Sequence, residues 1–299
     1  MKDITVSMIG LGRMGSALAG GFLRSGSRVT VWNRDPNKAH SIGAEGATVA
    51  TSLAEALSAS DLIAVSVLDY KTSDSLLFSA DVEHLLRGRT ILELTTGTPV
   101  DARTAAAKAA AAAAVYLDGA MMCYPSDVGK PETTIAFSGS RQAFDRYESL
   151  LRSLGGNAMY LGENVAAAAT LDLALVDYYY GAVVAMLHGF SICESEGFPL
   201  ESYAQAVEAI APVLGRTAQI AAKMIPARSY AGAEATNDVH AAALAKIVRT
   251  SQEAKLDPFP HRVMDYFNKA LAKGHGPDEI PALYETMRAQ SDSHGSKST

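Results

Sequence analysis

Short apolar runs rich in β-branched residues mark the first half of the chain: ITVSMIG (4–10), RVTVWN (28–33), DLIAVSVL (61–68), RTILELT (89–95) and AAVYLDGAMM (113–122). Between them lie segments with helical spacing, such as MGSALAGGFLRSG (14–26) and SLAEALSAS (52–60). Strand and helix in alternation predict βαβ units and a mainly parallel sheet up to about residue 160. Gly26 is placed to end the first helix and Asp35-Pro36 to open the second. The alanine tract 105–116 reads as a crossover helix running into a strand.

Near residue 163 the alternation stops. Ala/Leu-rich segments run from Asn164 to about Glu194, then in pieces from Leu200 to about Gln290, and predict an all-helical second part. The expected organisation is an α/β domain over 1–163, then an inter-domain helix and helical domain over 164–290. The tail 291–299 has no apolar anchor and is expected to be disordered.

Composition narrows the function classes. With 48% apolar and 19% charged residues the chain is globular, and a formal charge of −6 leaves no basic stripe for a nucleic acid. Cys123 and Cys193 are the two cysteines, too few for a disulfide framework and in no zinc-binding pattern. The N-terminus lacks the apolar core of a signal peptide, and no run approaches the roughly 18 apolar residues of a membrane span. The expected setting is the cytoplasm, with neither membrane nor metal involved.

VSMIGLGRMG (6–15) sets Gly10, Gly12 and Gly15 in a GxGxxG pattern directly after the first strand and at the start of the first helix. In that context the glycines permit a tight turn, close approach of a pyrophosphate and close helix–strand packing, while the helix N-terminus favours the phosphate charge. Leu11, Arg13 and Met14 belong to the same loop. The second strand ends in WNRDPNK (32–38), with Asn33 where NAD sites place an acid. Arg34 and Lys38 suit a ribose 2′-phosphate, which favours NADPH over NADH; the alternative is an ordinary solvated pair. Asp35 is compatible with a phosphate if it turns away to cap the next helix.

A dinucleotide-binding Rossmann domain joined by one long helix to a helical domain resembles the β-hydroxyacid and 6-phosphogluconate dehydrogenase superfamily. Within it the chain is most similar to imine reductases and reductive aminases, through GLGRMG, NRDPNK, LTTGTP (94–99), YLDGAMMCYP (116–125) and LDLALVDYYYG (171–181). Hydroxyacid enzymes carry a DAPVSGG-like loop for the substrate carboxylate. Aligned on Asp118, its Ser-Gly-Gly falls on Met122, Cys123 and Tyr124. Their GxGxxxKxxxN helix places glycines where this chain has Ala166 and Ala168, and the lysine base where it has Asp172.

That lysine-to-aspartate exchange inverts the charge at the reacting centre. A carboxylate suits an imine that must be held as iminium before it accepts hydride, and in a site shielded from water its effect is large. The resemblance places substrate or amine contact on Tyr180, eight residues beyond Asp172. Helical geometry alone favours Tyr179, about 20° from the Asp172 face, and sets Asp177 about 140° away. The family lines its nicotinamide pocket at Thr96, where some reductive aminases have asparagine, and SVLDY (66–70) should carry Leu68 under the cofactor. Met122, Tyr124, Val213 and Leu214 are the expected pocket residues; Val213 and Leu214 stand where the resemblance expects an aromatic. His240 is either a pocket or a packing residue.

The expectation is therefore an NADPH-dependent imine reductase acting on small imines, or on carbonyl and amine together. The resemblance also implies a homodimer with intertwined helical domains. The competing readings are a hydroxyacid-type dehydrogenase with an altered base and a non-catalytic NADP sensor.

Overall fold

Strand β1 (Thr5–Ile9) buries Val6, Met8 and Ile9 completely, as a central parallel strand does when helices cover both faces of its sheet. The computed structural model describes residues 4–232 and 234–287, so the expected tail 291–299 lies outside the described residues. The chain divides into two units, one up to Tyr178 and one from Tyr179.

The first unit adds β2 (Arg28–Trp32), β3 (Thr48–Val49), β4 (Leu62–Val65), β5 (Thr90–Glu93), β6 (Val115–Met121), β7 (Thr134–Gly139) and β8 (Asn157–Tyr160). Their order is β3-β2-β1-β4-β5-β6-β7-β8, parallel throughout except where β6 meets β7. The intervening helices are α1 (Arg13–Arg24), α2 (His40–Ala44), α3 (Leu53–Ser58), α4 (Tyr70–Leu77), α5 (Pro99–Ala111) and α6 (Arg141–Leu154). On one face Leu18 and Phe22 of α1 and Phe144 and Leu151 of α6 pack on Met8, Ala64, Leu92 and Phe137. On the other, Leu57, Leu77 and Ala109 pack on Ile9, Ile63, Val65 and Ile91. This is a doubly wound sheet, with its switch point between β1 and β4.

Three strands escaped the apolar-run reading. β3 is two exposed residues, β8 reads NAMY, and β7 reads TIAFSG, so none shows a clear β-branched run. β7 returns antiparallel because the segment 122–133 holds no crossover helix, just a single 3₁₀ turn at Pro125–Asp127.

Helix α7 (Ala167–Ser195) begins in the first unit and continues into the second. Its length and composition are those of a membrane-crossing helix, which corrects the expectation that no stretch approaches one. Between Ala167 and Cys193 its charged residues are Asp172 and Asp177 alone, and a high average needs no unbroken apolar run. The second unit continues with α8 (Leu200–Ala227), α9 (Asn237–Glu253), α10 (Phe259–Ala272) and α11 (Tyr284–Met287). Its core is small, around Tyr230, Phe267, Ala270 and Ala282, and α8 buries none of its residues.

Candidate active site

At the carboxyl ends of β1, β2 and β4 a cleft of about 530 Å³ is lined by the residues 10–15, Asn33, Arg34, Lys38 and Leu68. Gly10 makes the turn, at φ +94°, and a side chain there would strike the Ser66 carbonyl. Gly15 lets α1 approach until a Cβ would meet the Gly10 carbonyl. Gly12 is different, because a Cβ there would meet nothing within 4 Å and project into open space. Gly12 is also the N-cap of α1 and supplies no capping side chain, so the first-turn N–H groups stay available. A pyrophosphate fits this cradle, taking those N–H groups and the helix dipole.

Asn33 ties the end of β2 to that loop: its Oδ1 accepts from Leu11 N at 2.9 Å, and its Nδ2 donates to the Asp35 carbonyl at 2.9 Å. The Asp35 side chain accepts from Asn37 N at 3.1 Å and so opens the 3₁₀ turn Pro36–Ala39. That engagement leaves Arg34 and Lys38, both exposed, as the charges at the ribose end of the cleft. Among the described residues neither has a carboxylate within ion-pair distance.

At the other end, Val67 N donates to Thr95 Oγ1 at 3.1 Å and fixes the segment after β4. Leu68 is 88% exposed and projects into the cleft lining, while Asp69 caps α4 by accepting from Thr72 N at 2.7 Å.

Asp172 lies on α7 and is 6% exposed. Burial raises its pKa, and the side chain of Thr96, in hydrogen-bonding reach, lowers it in part. Sequence positions 76 residues apart are thereby brought together. Met122 packs where α7 starts, against Ala120, Ala136 and Ala168, while Tyr124 is exposed. In the second unit Tyr179 and Tyr180 are exposed, with ring centroids 5.6 Å apart. Val213 and Leu214 on α8 are also exposed. The His240 ring lies 6.3 Å from that of the buried Phe267, so it packs between α9 and α10.

The sequence reading passed over the groups beneath Asp172. Glu93 and Asp118 are buried, and Tyr70 donates to Asp118 Oδ1 at 2.5 Å. Burial raises Asp118 to about 6, Tyr70 lowering it and the Asp172 charge raising it further. Burial also raises Glu93 to about 7, against hydrogen bonds from Ser73 and Thr95. The signal was present in ILEL and YLDG: an acid inside an apolar strand run is unusual enough to question.

A doubly wound sheet with an uncapped glycine loop at its switch point defines a dinucleotide-binding protein. Residues 5–162 match the NAD binding domain of 6-phosphogluconate dehydrogenase, and residues 164–289 match the NADPH-dependent reductive aminase-like C-terminal domain. An NADPH-dependent reductive aminase of Aspergillus oryzae is 31% identical, the match covering 95% of this chain and 97% of the relative. An imine reductase from Myxococcus stipitatus, solved with NADP+, is 32% identical with TM-score 0.88, covering 95% of this chain and 99% of that one. A reductive aminase from Aspergillus terreus, solved with NADPH and ethyl levulinate, is 30% identical with TM-score 0.88, covering 96% and 99%. The chain belongs to the family of NADPH-dependent imine reductases and reductive aminases.

Proposed function

We propose that Asp172 is the acid of this NADPH-dependent imine reductase, and that its burial on α7 opposite Thr96 is what fits it for the task. NADPH, when bound, supplies hydride to the imine carbon. The glycine loop Gly10–Gly15 holds its pyrophosphate, Arg34 and Lys38 its 2′-phosphate, and Leu68 and Thr96 border its nicotinamide end. Asp172 donates its proton to the imine nitrogen, and the carboxylate left behind stabilises the iminium. Tyr180 orients the nitrogen, with Tyr179 as the second candidate. The pocket candidates are Met122 and Tyr124, with Val213 and Leu214 supplied by the helices of a second copy, and in apolar surroundings that ion pair is strong. His240, whose ring lies 6.3 Å from that of Phe267, is the remaining pocket candidate.

Residues 1–163 act as the cofactor-binding domain and 164–290 as the helical substrate and dimerisation domain, in a homodimer whose helices complete the partner's pocket. The exposed apolar residues Val184 and Leu187 of α7 and Ile210 and Leu214 of α8 support this, since a partner would cover them. The same cover accounts for the apolar α7 without a membrane. A cytoplasmic setting fits two unpaired cysteines.

Asp172 carries the reading, because it stands, buried, where a hydroxyacid enzyme of the superfamily needs a lysine. The test follows NADPH consumption with a cyclic imine, with a ketone plus amine, and with a panel of hydroxy acids run in reverse. Turnover of the imine that requires Asp172 supports the assignment; oxidation of a hydroxy acid in its place refutes it.

A further inference from the structure

Three buried polar residues stand in register on one face of the sheet: Glu93 of β5, Asp118 of β6 and Ser138 of β7. The Ser138 hydroxyl accepts from Ala168 N at 2.9 Å and so starts α7, while Asp118 accepts from Tyr70. Glu93 is 1% exposed, and its partners lie past the end of its own strand and on α4. A carboxyl in that place is costly to bury, even with its oxygens bonded. An apolar residue like its neighbours Ile91, Leu92 and Leu94 would stabilise the strand more, so packing alone does not account for an acid there.

The account lies at the carboxyl end of the sheet. The ladder between β4 and β5 reaches Leu94 N, which donates to the Val65 carbonyl at 2.8 Å. Two segments then leave the strands, 66–69 carrying Leu68 and 95–98 carrying Thr96. Side chains join them. Val67 N donates to Thr95 Oγ1 at 3.1 Å, and Thr95 N donates to Glu93 Oε1 at 3.1 Å. The Thr95 hydroxyl, having accepted from Val67, has its own proton for the same carboxylate. Glu93 Oε2 takes the Ser73 hydroxyl of α4 at 2.5 Å.

The tie extends to the glycine turn. Ser66 N donates to the Ile9 carbonyl at 3.0 Å, and a Cβ at Gly10 would strike the Ser66 carbonyl and the Val67 side chain. Within 95–98, the Tyr70 ring fills the space that a Cβ at Gly97 would need. The glycine turn, the Leu68 segment and the Thr96 segment are thus one packed unit, with the Glu93 carboxyl at its centre.

We propose that Glu93 is a positioning residue for hydride transfer: through Thr95 it locks the segment carrying Leu68 to the segment carrying Thr96, so that the nicotinamide end of the cofactor meets two fixed walls. This rests on the reading of Leu68 and Thr96 as its border. Orientation of two reacting groups is worth several powers of ten in rate, and small misplacements forfeit part of it. Affinity is affected far less, because the phosphates of the cofactor are gripped at the other end of the cleft.

The experiment compares full-length wild type with Thr95→Val, Thr95→Ser and Glu93→Gln. It reads amide hydrogen exchange of segments 62–70 and 90–98 with and without NADPH, NADPH affinity by fluorescence, and the hydride-transfer rate in a single turnover of a cyclic imine. Thr95→Val keeps the shape of the side chain and leaves Val67 N without its acceptor. Exchange at Val67 and Leu68 in the cofactor-free protein should rise. Hydride transfer should slow by about tenfold while NADPH affinity stays within about twofold. Thr95→Ser keeps the hydroxyl and should restore both exchange and rate. Glu93→Gln keeps an acceptor for Thr95 N without the full set of bonds. It should slow hydride transfer by about threefold although it is the more stable protein. A residue that served packing alone would not separate rate from stability in this way.

Hydride transfer at the wild-type rate in either Thr95→Val or Glu93→Gln overturns the proposal, and Glu93→Gln decides alone if Thr95→Val does not fold. A loss of rate in Thr95→Val that Thr95→Ser does not repair overturns it too, because the hydroxyl is then not the link. In the wild type NADPH should slow exchange at Leu68 and Thr96. If it protects neither, the reading of these two as the nicotinamide border fails and the proposal with it. If it protects both, an unmoved rate counts against the proposal alone.

Discussion

In the proposed reading Arg34 serves cofactor choice and Asp172 the chemistry. Arg34 follows β2 by two residues and has no carboxylate partner among the described residues, while Asp35 is occupied at Asn37 N, so a phosphate meets a net positive edge. Arg34→Ala should weaken NADPH at least tenfold and NADH hardly at all, measured by fluorescence titration of each; equal losses would remove the 2′-phosphate from its role. Asp172→Asn should leave NADPH affinity intact and lower imine turnover on the order of 100-fold. Asp172→Leu should be as poor or worse, and full turnover in both would end its candidacy.

Glu93 offers a test of stability. Its folded pKa is about 7 against an ordinary value of 4.5, so the folded state holds a proton that the unfolded chain has lost. Stability therefore falls as pH rises from about 4.5 towards 7, and the deficit persists above. Glu93→Gln keeps one acceptor oxygen for Thr95 N, turns its NH2 to the Ser73 hydroxyl, which can accept, and has no charge to bury. Urea titrations should show its advantage over wild type larger at about pH 8 than at about pH 5, by on the order of 2 kcal/mol. An equal difference at both would contradict the buried, proton-holding Glu93.

At the scale of elements, α7 is the part that the sequence described half correctly. Its extent and its buried aspartate were readable from Ala/Leu spacing and one misplaced charge. What begins it was not, because the cap comes from a strand about 30 residues earlier. Ser138→Ala should cost about 1 kcal/mol of stability, the usual loss when a helix-start acceptor is removed, and thermal unfolding measures it. No change would show that Ala168 N finds another acceptor at no cost. β7, which carries Ser138, was illegible for a related reason. TIAFSG has little alternation to display when β6 and β8 flank it and both faces of the sheet are covered.

The whole molecule poses a question of cover. A 28-residue helix without a fully buried residue, with Ile210, Val213, Leu214 and Ile220 exposed along it, presents an apolar surface. If a second copy covers it, sedimentation should give a dimer, and imine reductase activity should fall on dilution in step with dissociation. A fully active monomer would reject the completed-pocket reading.

The sequence by itself determined the doubly wound half, the glycine loop and the sign of the charge at position 172. Each of these is a local pattern: apolar spacing within one strand or helix, three glycines in six residues, one aspartate for one lysine. Only the tertiary structure decided that Glu93, Asp118 and Ser138 share a row, that Tyr70 reaches Asp118, and that Thr96 faces Asp172. Those neighbours lie 20 to 76 residues apart and are set by strand register and by where α7 docks. No local preference encodes such a meeting, because a side chain's partners across a sheet depend on every crossover between them.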